Sequence, residues 1–159
     1  LESGSPICNI DPEALETIRH YSDGFPGVVH ELGYQAFESN DDDRISRDDV
    51  VNGIVGNNCV GALDSLYVKH FQKIYPGKLR SPRSEALLKA FIDCPHEIVS
   101  TKYLVTALKG QIPATNLGGY IKSFMERGTI VKFGEGQYKL ASRLFGLYLR
   151  LRTKFGRPT

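Results

Sequence analysis

The 159-residue chain is 41% hydrophobic and 24% charged, which suits a packed core under an ordinary hydrophilic surface. It has no apolar run near the roughly 20 residues that cross a bilayer. Its start, Leu1-Glu2-Ser3-Gly4-Ser5, lacks the basic and apolar regions of a signal peptide, and its three cysteines lack the CxxC spacing of a zinc site or disulfide framework. The net charge of +2 hides a split: residues 1–75 hold 13 acidic and 5 basic side chains, a net of −8, whereas residues 76–159 hold 15 basic and 5 acidic, a net of +10.

These features predict a cytoplasmic protein with reduced thiols and no membrane partner. They also predict two units, 1–75 and 76–159, that face different partners, the basic one suited to nucleic acid.

Asp11-Pro12 opens the first predicted helix, with an N-cap carboxylate and then proline at the first helical position. It runs through Leu15 and Ile18 to about Tyr21, where Ser22-Asp23-Gly24 stops it. Pro26 opens a second helix, whose apolar residues Val28, Val29, Leu32, Ala36 and Phe37 fall at near-helical spacing. After the polar turn Ser39 to Asp43, Ser46 caps a third helix with Asp49 at the capping-box position. Val50, Val51, Ile54 and Val55 form its apolar face, and Gly56-Asn57-Asn58 breaks it. Leu63, Leu66, Tyr67, Phe71 and Ile74 mark a fourth helix, ended by Tyr75-Pro76-Gly77, where the charge changes sign. The first unit is therefore expected to be a bundle of about four helices.

Beyond a basic linker, Lys78 to Arg83, the pattern changes. Ser84 is expected to start a helix carrying Ala86, Leu87, Ala90 and Phe91, and Cys94-Pro95 to end it. Ser100 caps the next, with Leu104 and Leu108 inward. Pro113 to Asn116 starts a third, with Leu117, Tyr120, Ile121 and Phe124 at spacings of three and four. Ile130 to Phe133 and Gln137 to Leu140 read as short strands around the hairpin turn Gly134-Glu135-Gly136. Ser142 caps a last helix from Leu144 to about Leu151. Three helices and then a hairpin are the order of a winged helix: the second and third helices form a helix-turn-helix and the hairpin is the wing. The expected fold is mainly α, a helical bundle followed by a winged-helix domain.

Tyr21-Ser22-Asp23-Gly24-Phe25-Pro26-Gly27, followed by Val28 to Tyr34, resembles the helical lid of archaeal-type AAA-plus ATPases, in the P-loop group that includes STAND-like enzymes. The basic unit is similar to the winged helix that follows that lid, and Arg143 to Arg150 resembles its closing helix. The resemblance implies that the chain is the C-terminal domain region of a longer ATPase. It implies that the turn at Gly24, Pro26 and Gly27 faces nucleotide. The chain departs from the family by having no phosphate-cradling Gly-x-x-x-x-Gly-Lys-Ser/Thr loop, only Gly77-Lys78-Leu79. It also lacks the Arg expected early in the second helix. The implied role is non-catalytic, with no cofactor in this chain; ATP and magnesium belong to an absent ATPase core.

The third basic-half helix is the candidate recognition helix, with Thr115, Asn116, Gly119, Lys122, Ser123 and Arg127 at outward positions. Asn reads adenine bidentately, and Lys or Arg reads guanine or binds phosphate. Lys102 and Lys109 before it, and Lys132 and Lys139 on the wing, are candidate phosphate contacts. Double-stranded DNA is the expected partner. The alternative is an interaction module whose basic face packs on the protein's own ATPase core or another protein; a third reading is a stand-alone transcription factor. The acidic wing tip, Glu135, favours the helix over the wing as the DNA contact.

Glu38 to Asp49 has a faint calcium-loop spacing, but Asp43 stands where the turn needs Gly and Asp49 where a bidentate Glu closes the site; a solvated acidic turn is expected. His20, His30, His70 and His96 have no metal spacing, and no nucleophile elbow or triad signature is present. Tyr103, Tyr120, Tyr138 and Tyr148 fit base stacking but suit core-edge positions better.

Overall fold

Helix starts follow the local chemistry closely. The computed structural model describes residues 9–56, 61–74 and 81–155. Helices α1 (Pro12–Ser22) and α2 (Pro26–Glu38) each begin with proline, whose missing N–H costs nothing at a helix start. Asp11 sits at the N-cap of α1, yet its carboxylate accepts from Arg44 Nε instead of capping. Asp23, with φ of 50°, takes the left-handed C-cap, and Gly24 follows at φ of 78°. Helix α3 (Arg47–Val55) carries the full capping box: Ser46 Oγ accepts the Asp49 N–H, and the Asp49 carboxylate accepts the Ser46 N–H at 2.8 Å.

Two strands that the sequence pattern did not predict tie this bundle together. β1 (Asn9–Ile10) pairs in parallel with β2 (Arg44–Ile45), with Ile10 opposite the buried Ile45. Two-residue strands are too short to leave a periodicity, and their pairing is non-local.

The next helical run is composite. Helix α4 (Ala62–Leu66) passes into a π-helical segment (Tyr67–Phe71) and then α5 (Gln72–Ile74). The chain divides into two compact units between His70 and Phe71, inside this run. Phe71 explains the position: its ring lies 5.3 Å from Phe145 and 5.7 Å from Tyr148, so it belongs to the second core. The expected seam at Tyr75-Pro76-Gly77 lies outside the described residues, as do Asn57-Asn58, the linker from Lys78 to Arg80, Cys8 and Cys59.

In the second unit, α6 (Pro82–Asp93) starts earlier than expected. Ser81, not Ser84, is the N-cap: Ser81 Oγ accepts the Ser84 N–H at 3.1 Å, and Pro82 fills the first helical position. Serine followed by proline is the stronger start signal, so Arg83 is helical rather than linker. Cys94, at the end of α6, is a buried free thiol. Then come β3 (Val99–Ser100), α7 (Thr101–Ala107), α8 (Ala114–Glu126), β4 (Ile130–Gly134), β5 (Gln137–Leu140) and α9 (Arg143–Phe155). Ser100 caps α7 as expected.

β4 and β5 form the predicted hairpin, with a register irregularity between Lys132 and Gly134. β3 is new: it joins antiparallel to the far side of β5, giving the order β3-β5-β4. The described residues are thus mainly helical with two small sheets. Leu87, Leu104, Leu108, Phe124, Ile130, Leu144 and Phe145 fill the second core.

The bundle's apolar faces differ in part from the expectation. Leu32 and Ala36 of α2 are buried, but Val29 and Phe37 are surface residues. Glu31 takes a buried place instead, because Lys69 reaches it. On α1, Ala14 and Ile18 are inward and Leu15 is exposed.

Candidate nucleic-acid interface

Helix α8 is built to show one face. Leu117, Ile121 and Phe124 are buried, spaced at four and three residues. The opposite side presents Thr115, Asn116, Gly118, Gly119 and Lys122 as exposed residues, with Ser123 half-buried. Residues three and four apart on a helix are neighbours. Gly119 therefore lies at the centre of a ring made by Thr115, Asn116, Lys122 and Ser123. Thr115 Oγ1 donates to Asn116 Oδ1 at 3.4 Å, which leaves the Asn116 amide N–H groups directed elsewhere. Arg127 is the C-cap, one turn beyond Ser123, and is half-buried.

The glycines have no local reason to be there. A Cβ built at Gly118 or Gly119 meets nothing within 4 Å, and neither residue has a positive φ. Each costs the helix about 1 kcal/mol relative to Ala, so the sequence sacrifices stability for a bare backbone at mid-helix.

The lysines divide into groups. Lys102 and Lys109, in and just after α7, are exposed. Lys132 and Lys139 lie on opposite faces of the hairpin. Lys132 pairs across the ladder with Tyr138, and Lys139 with Val131; cross-strand partners share a face and successive residues alternate. Lys139 is held 3.8 Å from Glu97, which also lies 3.2 Å from Arg143 at the start of α9. These three line a groove of about 510 Å³ with Pro95, His96, Ile98 and Phe133. The α8 face also carries an acid: Glu126 lies 3.9 Å from Lys122. Glu126 and Glu97 thus soften the basic character that a residue count suggests.

Tyr103, Tyr120 and Tyr138 are half-buried and Tyr148 is buried against Phe71, which places all four at the core or its edge. Burial raises the Tyr103 phenol above its ordinary value.

In the acidic unit, Gly24, Pro26 and Gly27 come together in the turn between α1 and α2. The Phe25 N–H donates to Ser22 O and the Gly24 N–H to Ser22 Oγ, so this turn closes on itself. Gly27 lies close to His70: a Cβ there would sit 4.0 Å from its Nε2. Within the Glu38 to Asp49 segment, Asn40 Nδ2 donates to Asp42 Oδ1, Arg44 O and Asp49 Oδ2 at 3.1, 3.0 and 3.5 Å. A side-chain amide thus joins oxygens that a calcium-loop spacing would aim at a cation. Among the described residues, no group of three or more His, Cys, Asp or Glu side chains is arranged to hold a metal. No helix among them is long and apolar enough to cross a membrane.

Comparison with protein families, with curated proteins and with solved structures gave no match.

Proposed function

We propose that the second unit is a winged helix that binds double-stranded DNA through α8, and that the first is a lid-like bundle from the C-terminal region of an AAA-plus-type ATPase. The observation that carries the DNA reading is the amphipathic build of α8. Its inner face is fully committed to the core, and its outer face holds the residue types that read base edges and phosphates. The chain order of helix, strand, two helices, hairpin and helix, with sheet order β3-β5-β4, supports the winged-helix assignment. In this reading α8 lies in the major groove. Asn116 and Lys122 face base edges, and Lys102, Lys109, Lys132 and Arg127 face phosphates. The unit binds and positions; hydrolysis of ATP belongs to a separate P-loop core.

The α2 surface favours a protein partner for the first unit. Phe25 at the N-cap of α2, and Val29 and Phe37 within it, are 56%, 41% and 55% exposed. Exposed apolar side chains of this kind fit docking on a protein surface, such as the ATPase core.

The test is duplex binding by fluorescence anisotropy at low salt. Binding to a mixed-sequence duplex is expected, with log K falling linearly against log salt by about 0.9 per phosphate neutralised. The Lys122→Glu, Arg127→Glu double variant is expected to bind at least tenfold more weakly, about 1.4 kcal/mol or more. Absence of binding at low salt would refute the DNA reading.

A further inference from the structure

The groove beside the hairpin already holds an anion of the chain's own. Glu97 stands in the irregular connection between α6 and β3, and its Oε1 faces both Arg143 Nη2 at 3.2 Å and Lys139 Nζ at 3.8 Å. Both separations exceed the roughly 2.7–2.9 Å of a charge-assisted hydrogen bond. The Glu97 side chain is 53% exposed, against 30% for Lys139 and 34% for Arg143. Two cations set into the surface thus converge on one oxygen, and the carboxylate between them is the loose partner. A ligand carboxylate can displace it and keep both charges paired.

The groove walls describe the rest of the ligand. Pro95, Ile98 and Phe133 line the same groove, and Phe133 is 58% exposed. Phe133 falls at the register irregularity of β4, where a bulge re-aims a side chain. Apolar surface beside two cations suits a carboxylate carried next to an apolar side chain. The edge of β4 adds groups that a peptide backbone satisfies. The Ala141 N–H donates to Thr129 O, and Val131 lies opposite Lys139. Alternation along an antiparallel ladder then turns the backbone groups of Ile130 and Lys132 away from β5. β4 is the outer strand, and among the described residues no backbone group pairs with them there. A strand laid along this edge sets alternate side chains on the Phe133 face and the Lys132 face. A second copy of the chain suits the edge poorly, because residues 76–159 carry a net +10.

We infer that the β4 edge and its groove bind an extended acidic peptide from a partner protein. Its backbone pairs with β4, an apolar side chain lies on Phe133, and a carboxylate two residues on displaces Glu97 from Lys139 and Arg143. The residue between them, on the Lys132 face, is acidic as well. These contacts do not use α8, so the site is separate from the DNA reading above.

The probe is a fluorescein-labelled peptide, Thr-Val-Phe-Glu-Glu-Val-Thr, titrated into the full 159-residue chain. It is expected to bind, and the same peptide with Lys-Lys for Glu-Glu to bind about tenfold more weakly or worse. Glu97→Gln is expected to bind the acidic peptide about three- to tenfold more tightly, because the competing carboxylate is gone. Phe133→Ser and Lys139→Met are expected to weaken it by about the same factor. Unchanged affinity in Glu97→Gln would overturn the inference; a lower melting temperature alone would mark a merely structural ion pair. Binding that Phe133→Ser leaves intact, or that equimolar inorganic phosphate abolishes, would mean a bare anion site and overturn the peptide assignment. Failure of the acidic peptide to bind both the wild type and Glu97→Gln would overturn it outright.

Discussion

Lys69 Nζ donates to Glu31 Oε2 at 2.9 Å, joining the π-helical segment to α2 across 38 residues of sequence. Glu31 is only 8% exposed. Burial by itself pushes its carboxyl upward, but hydrogen bonds from Lys69, Ser65 and Gln35, with the charge of Lys69, outweigh burial and hold it below its ordinary value of 4.5. Removing the lysine leaves a carboxylate in a place with little access to water. Lys69→Met is expected to destabilise the first unit by about 1–3 kcal/mol in urea unfolding, and Glu31→Gln, which keeps an acceptor, by less.

The same pair gives a pH dependence. A carboxyl lowered by folding stabilises the folded state above its unfolded pKa and loses that contribution as pH falls through the folded value. Stability of the first unit is therefore expected to decline as pH drops below about 4.5. Asp49 adds to the trend, since hydrogen bonds from the Ser46 side chain and backbone lower it from 3.8. Melting curves between pH 6 and pH 3, a range set around ordinary carboxyl values, should show a shallower decline in Lys69→Met than in the wild type. An equal decline would remove Glu31 as a cause.

The Ser46 cap has its own expected cost. Ser46→Ala removes the acceptor for the Asp49 N–H and the hydroxyl that donates to Asp49 Oδ2 at 2.6 Å. A loss of about 1 kcal/mol is expected, read as a fall in the urea midpoint at constant m-value.

Glycines separate two kinds of position. A Cβ at Gly53 would lie 2.6 Å from Gln35 C and 2.7 Å from Gln35 O, so α3 meets the backbone of α2 there. Gly53→Ala is expected to cost about 1–3 kcal/mol or more, because backbone must move. Gly118→Ala faces open space and is expected to stabilise by about 0.5–1 kcal/mol. Thermal unfolding of the two variants should shift in opposite directions.

Acids near the basic face weaken the expected attraction to phosphate. Glu126→Gln removes repulsion of phosphate and frees Lys122, so tighter duplex binding at low salt is expected, by about two- to fivefold. Lys132→Ala should reduce the salt slope by about one. Lys139→Ala should leave it unchanged, since Lys139 projects from the other hairpin face beside Glu97. Equal effects of the two lysine variants would place both strand faces on the DNA.

Much of this architecture was legible in the residues. The proline starts of α1 and α2, the Ser46 capping box, the Ser100 cap and the glycine hairpin all depend on contacts that close within a few positions. The polar face of α8 was legible for the same reason: helical spacing assigns Leu117, Ile121 and Phe124 to one side, and the remaining residues follow. What was missed was non-local. β1, β2 and β3 exist only because a distant backbone supplies their hydrogen bonds. The burial of Glu31 likewise depends on Lys69, 38 residues along the chain.

The sequence alone determined most helix starts, though not that of α6, the buried side of α8 and how charge is divided along the chain, because side-chain chemistry and helical period act over one or two turns. Tertiary structure decided three other matters. Phe71 joins the second core because Phe145 and Tyr148 offer it aromatic contact. Lys139 is separated from Lys132 because ladder register assigns alternate residues to opposite faces. Gly53 and Gly119, the same residue type, differ because one meets the Gln35 backbone and the other meets open space, a distinction that no reading of neighbours in sequence contains.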